Sequence, residues 1–165
     1  MHGRSPSRFR RQLEVLVRYE VEFIVVGGVA AVLGGAPIMT LDLDVVYRRS
    51  PENVPRLATA LSSINAIYDD PIGRRIVPDV WMLETARLSL LVTDLGKLDV
   101  LYSISNGLTY DDLLERSSDF EFEGMRLRVL DLEAVIEAKE TADRPKDRAV
   151  LPILRRTLEL KKSSS

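Results

Sequence analysis

The sequence predicts an α/β (α+β) chain: a small mixed sheet with flanking helices, closed at its C-terminal end by a hairpin and two helices. Short apolar or alternating runs at 23–26, 40–47, 87–92 and 97–102 are separated by segments of helical period. The run FEFEGMRLRV at 120–129 has Gly124 near its centre, as a hairpin does. After it the strand pattern stops, and 131–162 reads as a helical C-terminal part. Strands alternating with helices, then a hairpin and two helices, imply helices packed on a mixed sheet. No repeat or long linker divides 1–165, so a single domain is expected.

Each element has its own signal. Residues 9–19 put Phe9, Leu13, Leu16 and Val17 on one helical stripe. Phe23–Val26 is a short apolar run ended by Gly27 and Gly28, which suits a buried strand and a turn. A short helix over 29–33 follows and is stopped by Gly34, Gly35 and Pro37. TLDLDVVY at 40–47 reads as a strand. Ser50 then looks like an N-cap, with Pro51 at the first helical position and Val54, Leu57, Ala58, Leu61 and Ile64 along the helix. The stretch DDPIGRRIVPD at 69–79 has no readable period. Strands at 87–92 and 97–102 are joined through TDLG. Thr109 or Tyr110 opens a short helix ending near Glu115. Asp131 caps the next helix, which turns Leu132, Val135 and Ile136 inward, and Pro145 interrupts the pattern. The last helix carries Val150, Ile153, Leu154 and Leu158, and the final three serines read as a frayed tail.

Composition narrows the chemistry. Hydrophobic residues make up 45% and charged residues 29%, near the average for soluble domains. No apolar run reaches the roughly 18 residues of a membrane helix, and the basic start lacks the apolar core of a signal peptide. The expected location is cytoplasmic. There is no cysteine, and His2 is the only histidine. Thiolate nucleophiles, cysteine-bound metals and histidine-based triads are therefore excluded. What remains is chemistry by carboxylates, hydroxyls, Lys, Arg and a bound ion. Net charge is −2, yet basic residues crowd both ends and could meet a polyanion locally.

Asp42 and Asp44 are two residues apart on the expected strand, so period two places both on one face. Like charges held this close repel, and a bound cation relieves the repulsion. All-oxygen ligands favour Mg²⁺ or Mn²⁺. The alternative is a solvated polar face on an edge strand, against which stands the strongly apolar segment around the pair. Asp99 in KLDVLY becomes a third ligand if its strand lies beside 40–47. Two ions about 3.5–4 Å apart could then be bridged, one activating an attacking hydroxyl and one holding triphosphate oxygens. Asp94 is the rival acid, in the expected turn. Gly27 and Gly28, between a strand and a helix, let the backbone approach a phosphate closely.

Together, GGVAAVLGGAPIMTLDLDVVY resembles the signature of the DNA polymerase beta superfamily of nucleotidyltransferases. It looks most like the minimal branch that includes AbiEii-type toxins of toxin–antitoxin and phage-defence systems. The resemblance implies phosphate-cradling roles for Gly27 and Gly28 and matches Thr40 to the hydroxyl residue ahead of the acids. It implies metal ligation by Asp42 and Asp44, with Asp99 as the third acid that helps activate the acceptor hydroxyl. The run AKETADRPKDRAVLPIL also resembles this branch, through Lys139, Arg144, Lys146 and Asp147. The similarity spans roughly 23–47 and 97–154; the glycine-plus-acids pattern is fairly specific and the C-terminal run is not. One departure is Ile38, where the branch often carries an arginine. Lys139 or Lys146 is then the expected source of charge for a triphosphate, and Ile38→Arg is expected to tighten its binding if the pocket is open there.

The function expected is metal-dependent transfer of a nucleoside monophosphate from an NTP to a hydroxyl of RNA, protein or a small molecule. Such chemistry asks mainly for positioning and electrostatics and needs neither Cys nor His. A cognate antitoxin or toxin is an expected partner. The alternative is a non-catalytic, antitoxin-like or regulatory protein that keeps the fold, for which Ile38 speaks. A third reading is a metal-dependent phosphodiesterase.

Overall fold

The computed structural model describes residues 4–164, with residues 4–8 described through their backbone only. His2 lies outside the described residues. The chain begins α1 (Arg4–Arg18), β1 (Phe23–Val26), α2 (Gly27–Leu33), β2 (Leu43–Tyr47) and α3 (Asn53–Ser63). It continues β3 (Ile67–Tyr68), α4 (Val80–Thr85), β4 (Leu88–Thr93), β5 (Gly96–Leu101), β6 (Ser103–Ile104) and β7 (Leu108–Thr109). It ends α5 (Tyr110–Leu114), β8 (Ser117–Phe122), β9 (Met125–Leu130), α6 (Leu132–Ala142) and α7 (Pro145–Ser164).

A seven-stranded sheet has the order β3-β4-β5-β2-β1-β9-β8. β2 runs parallel to β5 and β1 parallel to β9, while β1–β2, β3–β4, β4–β5 and β8–β9 are antiparallel. The sheet is therefore mixed, as the alternation of strands and helices predicts. The separate pair β6–β7 is short. α1, α3 and α4 gather on one side, where Tyr47 Oη donates to the Leu83 carbonyl of α4. α2, α6 and α7 form a second group.

The central strands explain the order of the layers. Leu43 and Val45 of β2, Leu98 and Val100 of β5, and Leu57 and Leu61 of α3 are fully buried together with Leu13 of α1. Full burial of such a side chain stabilises by roughly 1.5–3 kcal/mol before chain entropy is counted. Asn53 is also fully buried and ties the start of α3 to the sheet. Its amide donates to the carbonyls of Glu22 and Arg48 at 2.9 and 2.7 Å, and its oxygen accepts from Glu22 N at 2.7 Å.

Several expected boundaries move. The strand read over 40–47 begins only at Leu43, because its neighbour β1 ends at Val26 opposite Asp44 and the chain then turns away at Gly27. Asp42 thus sits just ahead of the strand rather than on it. α2 starts at Gly27, not at Val29. Ser50 caps a turn before α3: its Oγ accepts from Asn53 N at 3.1 Å, and the helix itself begins at Asn53. The unreadable stretch leads into α4, whose N-cap Asp79 accepts from Met82 N. Pro145 opens α7 rather than merely ending α6, which closes on Asp143 in the left-handed region. The expected serine tail is helical through Ser164.

Candidate active site

Two backbone features bring the site together. Gly27, at the β1–α2 junction, has φ +65°, which favours glycine. A β-carbon there would collide with Asp44 Oδ2, and one at Gly28 would lie 2.8 Å from Thr40 Oγ1. Both glycines are thus small because an expected site residue presses against their backbone. Thr40 Oγ1 also donates to the Asp42 carbonyl at 3.4 Å.

β2 and β5 place Asp44 directly opposite Asp99 in parallel register. On the other flank Asp44 pairs with Val26, the last residue before the glycines. The two carboxyl groups are close enough for each to act on the other's ionisation. The Asp44 carboxyl is pushed up from 3.8 to about 7 by burial first, then by the charge of Asp99, its hydrogen bond to Asp99 and the charge of Asp42; Lys139 opposes this. Burial also raises Asp99, helped by Asp42 and opposed by its hydrogen bond to Asp44 and by the charges of Lys97 and Lys146. The three aspartates therefore share one electrostatic neighbourhood, although Asp42 is exposed and lies off the strand.

Cations face this neighbourhood from the α6–α7 corner. Lys139 Nζ lies 3.4 Å from Asp147 Oδ1. Arg144 reaches Asp147 through Nε at 2.7 Å and Nη2 at 3.2 Å, and its backbone N donates at 3.1 Å. Asp147 is fully buried. Burial pushes its carboxyl up, but the hydrogen bonds from Arg144 and the charges of Arg144 and Lys139 win and hold it below its ordinary value. Arg144 is held above its ordinary value by its hydrogen bond to Asp147, and the charges of Asp147 and Asp44 add to the effect. One buried carboxylate thus organises two cations.

A cavity of about 420 Å³ joins these groups: Gly27, Asp44, Asp99, Lys139 and Arg144 all line it. Gly28, Thr40, Asp42 and Lys146 do not, although Asp42 and Lys146 act on its carboxylates through charge. Arg87 lines the cavity and has no motif signal in the sequence. Arg144 and the buried Asp147 fall within the AKETADRPKDR run, where their spacing of three residues at a helix start was the available sign. Asp94 is occupied elsewhere, accepting from Asn65 Nδ2 at 2.6 Å. Lys97 pairs with Asp69 at 3.4 Å rather than with Asp99.

Among the described residues, no three His, Cys, Asp or Glu side chains are already grouped as a metal cage. The donor set nevertheless fits a hard divalent cation. Two apposed carboxyls, with Asp44 pushed up to about 7 by burial and its acidic neighbours, are oxygen donors whose mutual repulsion a cation would relieve. Asp42 is exposed, and its charge acts on both carboxyls.

Comparison with solved structures gives the frame for this geometry. The lincosamide antibiotic adenylyltransferase LnuA, with lincomycin bound, superposes with TM-score 0.64 at 14% identity, over 90% of this chain and 95% of its own. The antibiotic-resistance factor ANT(2″)-Ia in solution gives TM-score 0.60 at 13% identity, over 98% and 88%. This chain has the nucleotidyltransferase fold. A Thermotoga maritima protein described as a nucleotidyltransferase gives TM-score 0.54 at 19% identity, over 92% and 90% of the two chains. No protein-family model matches the sequence, and no curated protein matches it. The nucleotidyltransferase fold thus emerges from the structure rather than from overall sequence similarity. No helix among the described residues is long and apolar enough to cross a membrane.

Proposed function

We propose that this chain transfers a nucleoside monophosphate from an NTP to a hydroxyl acceptor. The observation that carries the reading is the direct pairing of Asp44 with Asp99 beside Gly27, in one cavity with Lys139 and Arg144. The acceptor oxygen bonds to the α-phosphorus, the α–β bridging bond breaks, and pyrophosphate leaves with the electron pair. Lys139 and Arg144 hold phosphate oxygens, and the Gly27–Gly28 backbone lets the phosphate chain approach. Asp99 accepts the proton of the acceptor hydroxyl as its oxygen attacks. Asp42, Asp44 and Asp99 would hold Mg²⁺ or Mn²⁺, which when bound would lower the hydroxyl pKa and neutralise phosphate charge.

The adenylyltransferases with this fold make ATP a first nucleotide to try. Within the reading, RNA, a protein side chain and a small molecule are all acceptors to be tested. A toxin of the AbiEii-like branch, with a cognate antitoxin, is the finer version suggested by the glycine-plus-acids pattern and by the C-terminal lysine and arginine run. The non-catalytic alternative has one specific support: Ile38 stands where that branch often has a cation, and it packs against the core.

Titration of ATP, with and without Mg²⁺, into wild type and Asp44→Asn tests the proposal. Binding that requires Mg²⁺ and weakens in the variant supports it. Equal affinity in all four titrations contradicts it.

A further inference from the structure

β4 is a strand with inverted polarity. Its sequence, LSLLVT, buries Ser89 and Thr93 with Leu91, and turns Leu88, Leu90 and Val92 outward at 41%, 47% and 36% exposure. An edge-side strand covered on one face normally does the reverse. The two buried hydroxyls are satisfied: Ser89 Oγ meets Tyr68 Oη at 3.1 Å, and Thr93 Oγ1 donates to Gly96 O at 2.8 Å. The inversion is thus built into the hydrogen bonding of the sheet and leaves an apolar stripe outside.

That stripe adjoins the acids. Leu90 pairs directly with Asp99, and Leu88 with Leu101. Leu88, Leu90, Leu101 and Ile104 line the same cavity as Asp44 and Asp99. The sheet order sets the direction. β1, which carries the glycine turn, and β2 lie on one side of β5, and β4 lies on the other. A nucleotide whose phosphates meet Gly27 and the Lys139–Arg144 corner leaves the β4 side to the second substrate.

The structure is firm where this stripe begins. The guanidinium of Arg49 stacks 3.7 Å from the Tyr102 ring centroid and donates to the Ala86 carbonyl. Tyr102 N donates to Arg87 O at 2.8 Å. Leu88 therefore enters the stripe from an anchored segment.

Resting on the transferase reading above, we propose that the outer face of β4 binds the acceptor, and that the acceptor is a small molecule presenting its hydroxyl from an apolar body. The hydroxyl would sit at Asp99 and the body on Leu88 and Leu90. A nucleic-acid acceptor would need several cations along its phosphates. On the β4 side the cavity supplies Arg87 as its cation, and the rest of that lining is mainly apolar.

The test keeps the hydroxyl group constant and changes only the apolar part. Methyl and octyl β-D-glucoside, the latter below its micelle concentration, are titrated into the full chain in the presence of Mg²⁺ and a non-hydrolysable ATP analogue. The comparison protein is Leu88→Thr/Leu90→Thr, which retains strand-forming residues and is checked by thermal melt. The expected result is at least about tenfold tighter binding of the octyl compound to wild type, since burial of only a few methylenes gives that ratio. In the double variant the ratio should fall to about twofold or less, with affinity for the ATP analogue unchanged. Equal binding of the two glucosides to wild type, no binding of the octyl compound, or an undiminished ratio in the variant overturns the proposal. So does tighter binding of a short single-stranded RNA than of octyl glucoside. Failure of wild type to bind the ATP analogue is a separate result and counts against the transferase reading itself.

Discussion

Asp44 carries the most informative charge in the molecule. Burial and its acidic neighbours hold it at about 7 rather than 3.8. The folded protein therefore binds an extra proton between those values, and its stability falls as pH rises through that window. In metal-free buffer Asp44→Asn should be more stable than wild type by about 1–3 kcal/mol near about pH 8, with the difference vanishing near about pH 4. Urea denaturation at both pH values checks this, and identical midpoints at the higher pH would count against the buried acid pair. Asp147 behaves oppositely, because its charge is already paired by Arg144 and Lys139. Asp147→Ala should cost about 2–3 kcal/mol, below the 3–5 of a fully buried pair because the Arg144 side chain is half exposed. The same variant should weaken ATP binding; full affinity in the folded variant would show that Lys139 and Arg144 act without it. At this scale the Asp42–Asp44 spacing and the glycine pair were legible in the sequence, whereas Asp99 joined them only on the condition that its strand lay beside 40–47, which the parallel register meets. The pairing of Asp147 with two cations was not, because its partners come from a helix end eight residues earlier and from a corner conformation that only Asp143 in the left-handed region creates.

At the scale of elements, the β1–α2 junction is where local geometry and chemistry are most tightly joined. Gly27→Ala forces a residue with a β-carbon into φ +65° and into Asp44. It should destabilise by about 1–3 kcal/mol and abolish Mg²⁺-dependent ATP binding, measured by thermal melt and titration on the same preparation. Retained binding would remove the glycine turn from the site. Ile38 belongs to the next segment, half-buried against the core. Ile38→Arg should therefore lower stability without tightening ATP binding, contrary to the expectation from sequence resemblance alone; tighter binding would mean that this segment opens onto the phosphates. Strand β1 and the hairpin β8–β9 were readable because a run of four buried apolar residues and an alternating run around Glu123–Gly124 leave few other solutions. The start of β2 was misplaced for a physical reason: 41–45 alternates between apolar residues and Asp42 and Asp44, as a strand does, but β1 stops opposite Asp44. α4 was missed because six residues are too short to show a helical period; of them only Leu83 is buried, and the cap at Asp79 was the one local sign.

On the scale of the whole molecule, the sheet order converts two distant strand motifs into one site. β2 and β5 are neighbours in parallel register, so the crossover through α3, β3, α4 and β4 brings Asp99 to Asp44 across 55 residues of chain. α6 then supplies Lys139, and the α6–α7 corner supplies Arg144. Composition alone had removed Cys and His chemistry, leaving carboxylates, hydroxyls, Lys and Arg, and acids and cations from this set meet in the cavity. The most direct measurement is nucleotidyl transfer with ATP labelled in either the α- or the γ-phosphate, Mg²⁺ or Mn²⁺, and a mixed pool of RNA, protein and small hydroxyl acceptors. Wild type should attach the α-label to an acceptor and release pyrophosphate. Asp99→Asn should still fold and bind Mg²⁺–ATP but transfer about 10²–10⁴-fold more slowly. Attachment of the γ-label instead, no attachment of the α-label to any acceptor, or an unchanged rate in Asp99→Asn would contradict the assignment of this site.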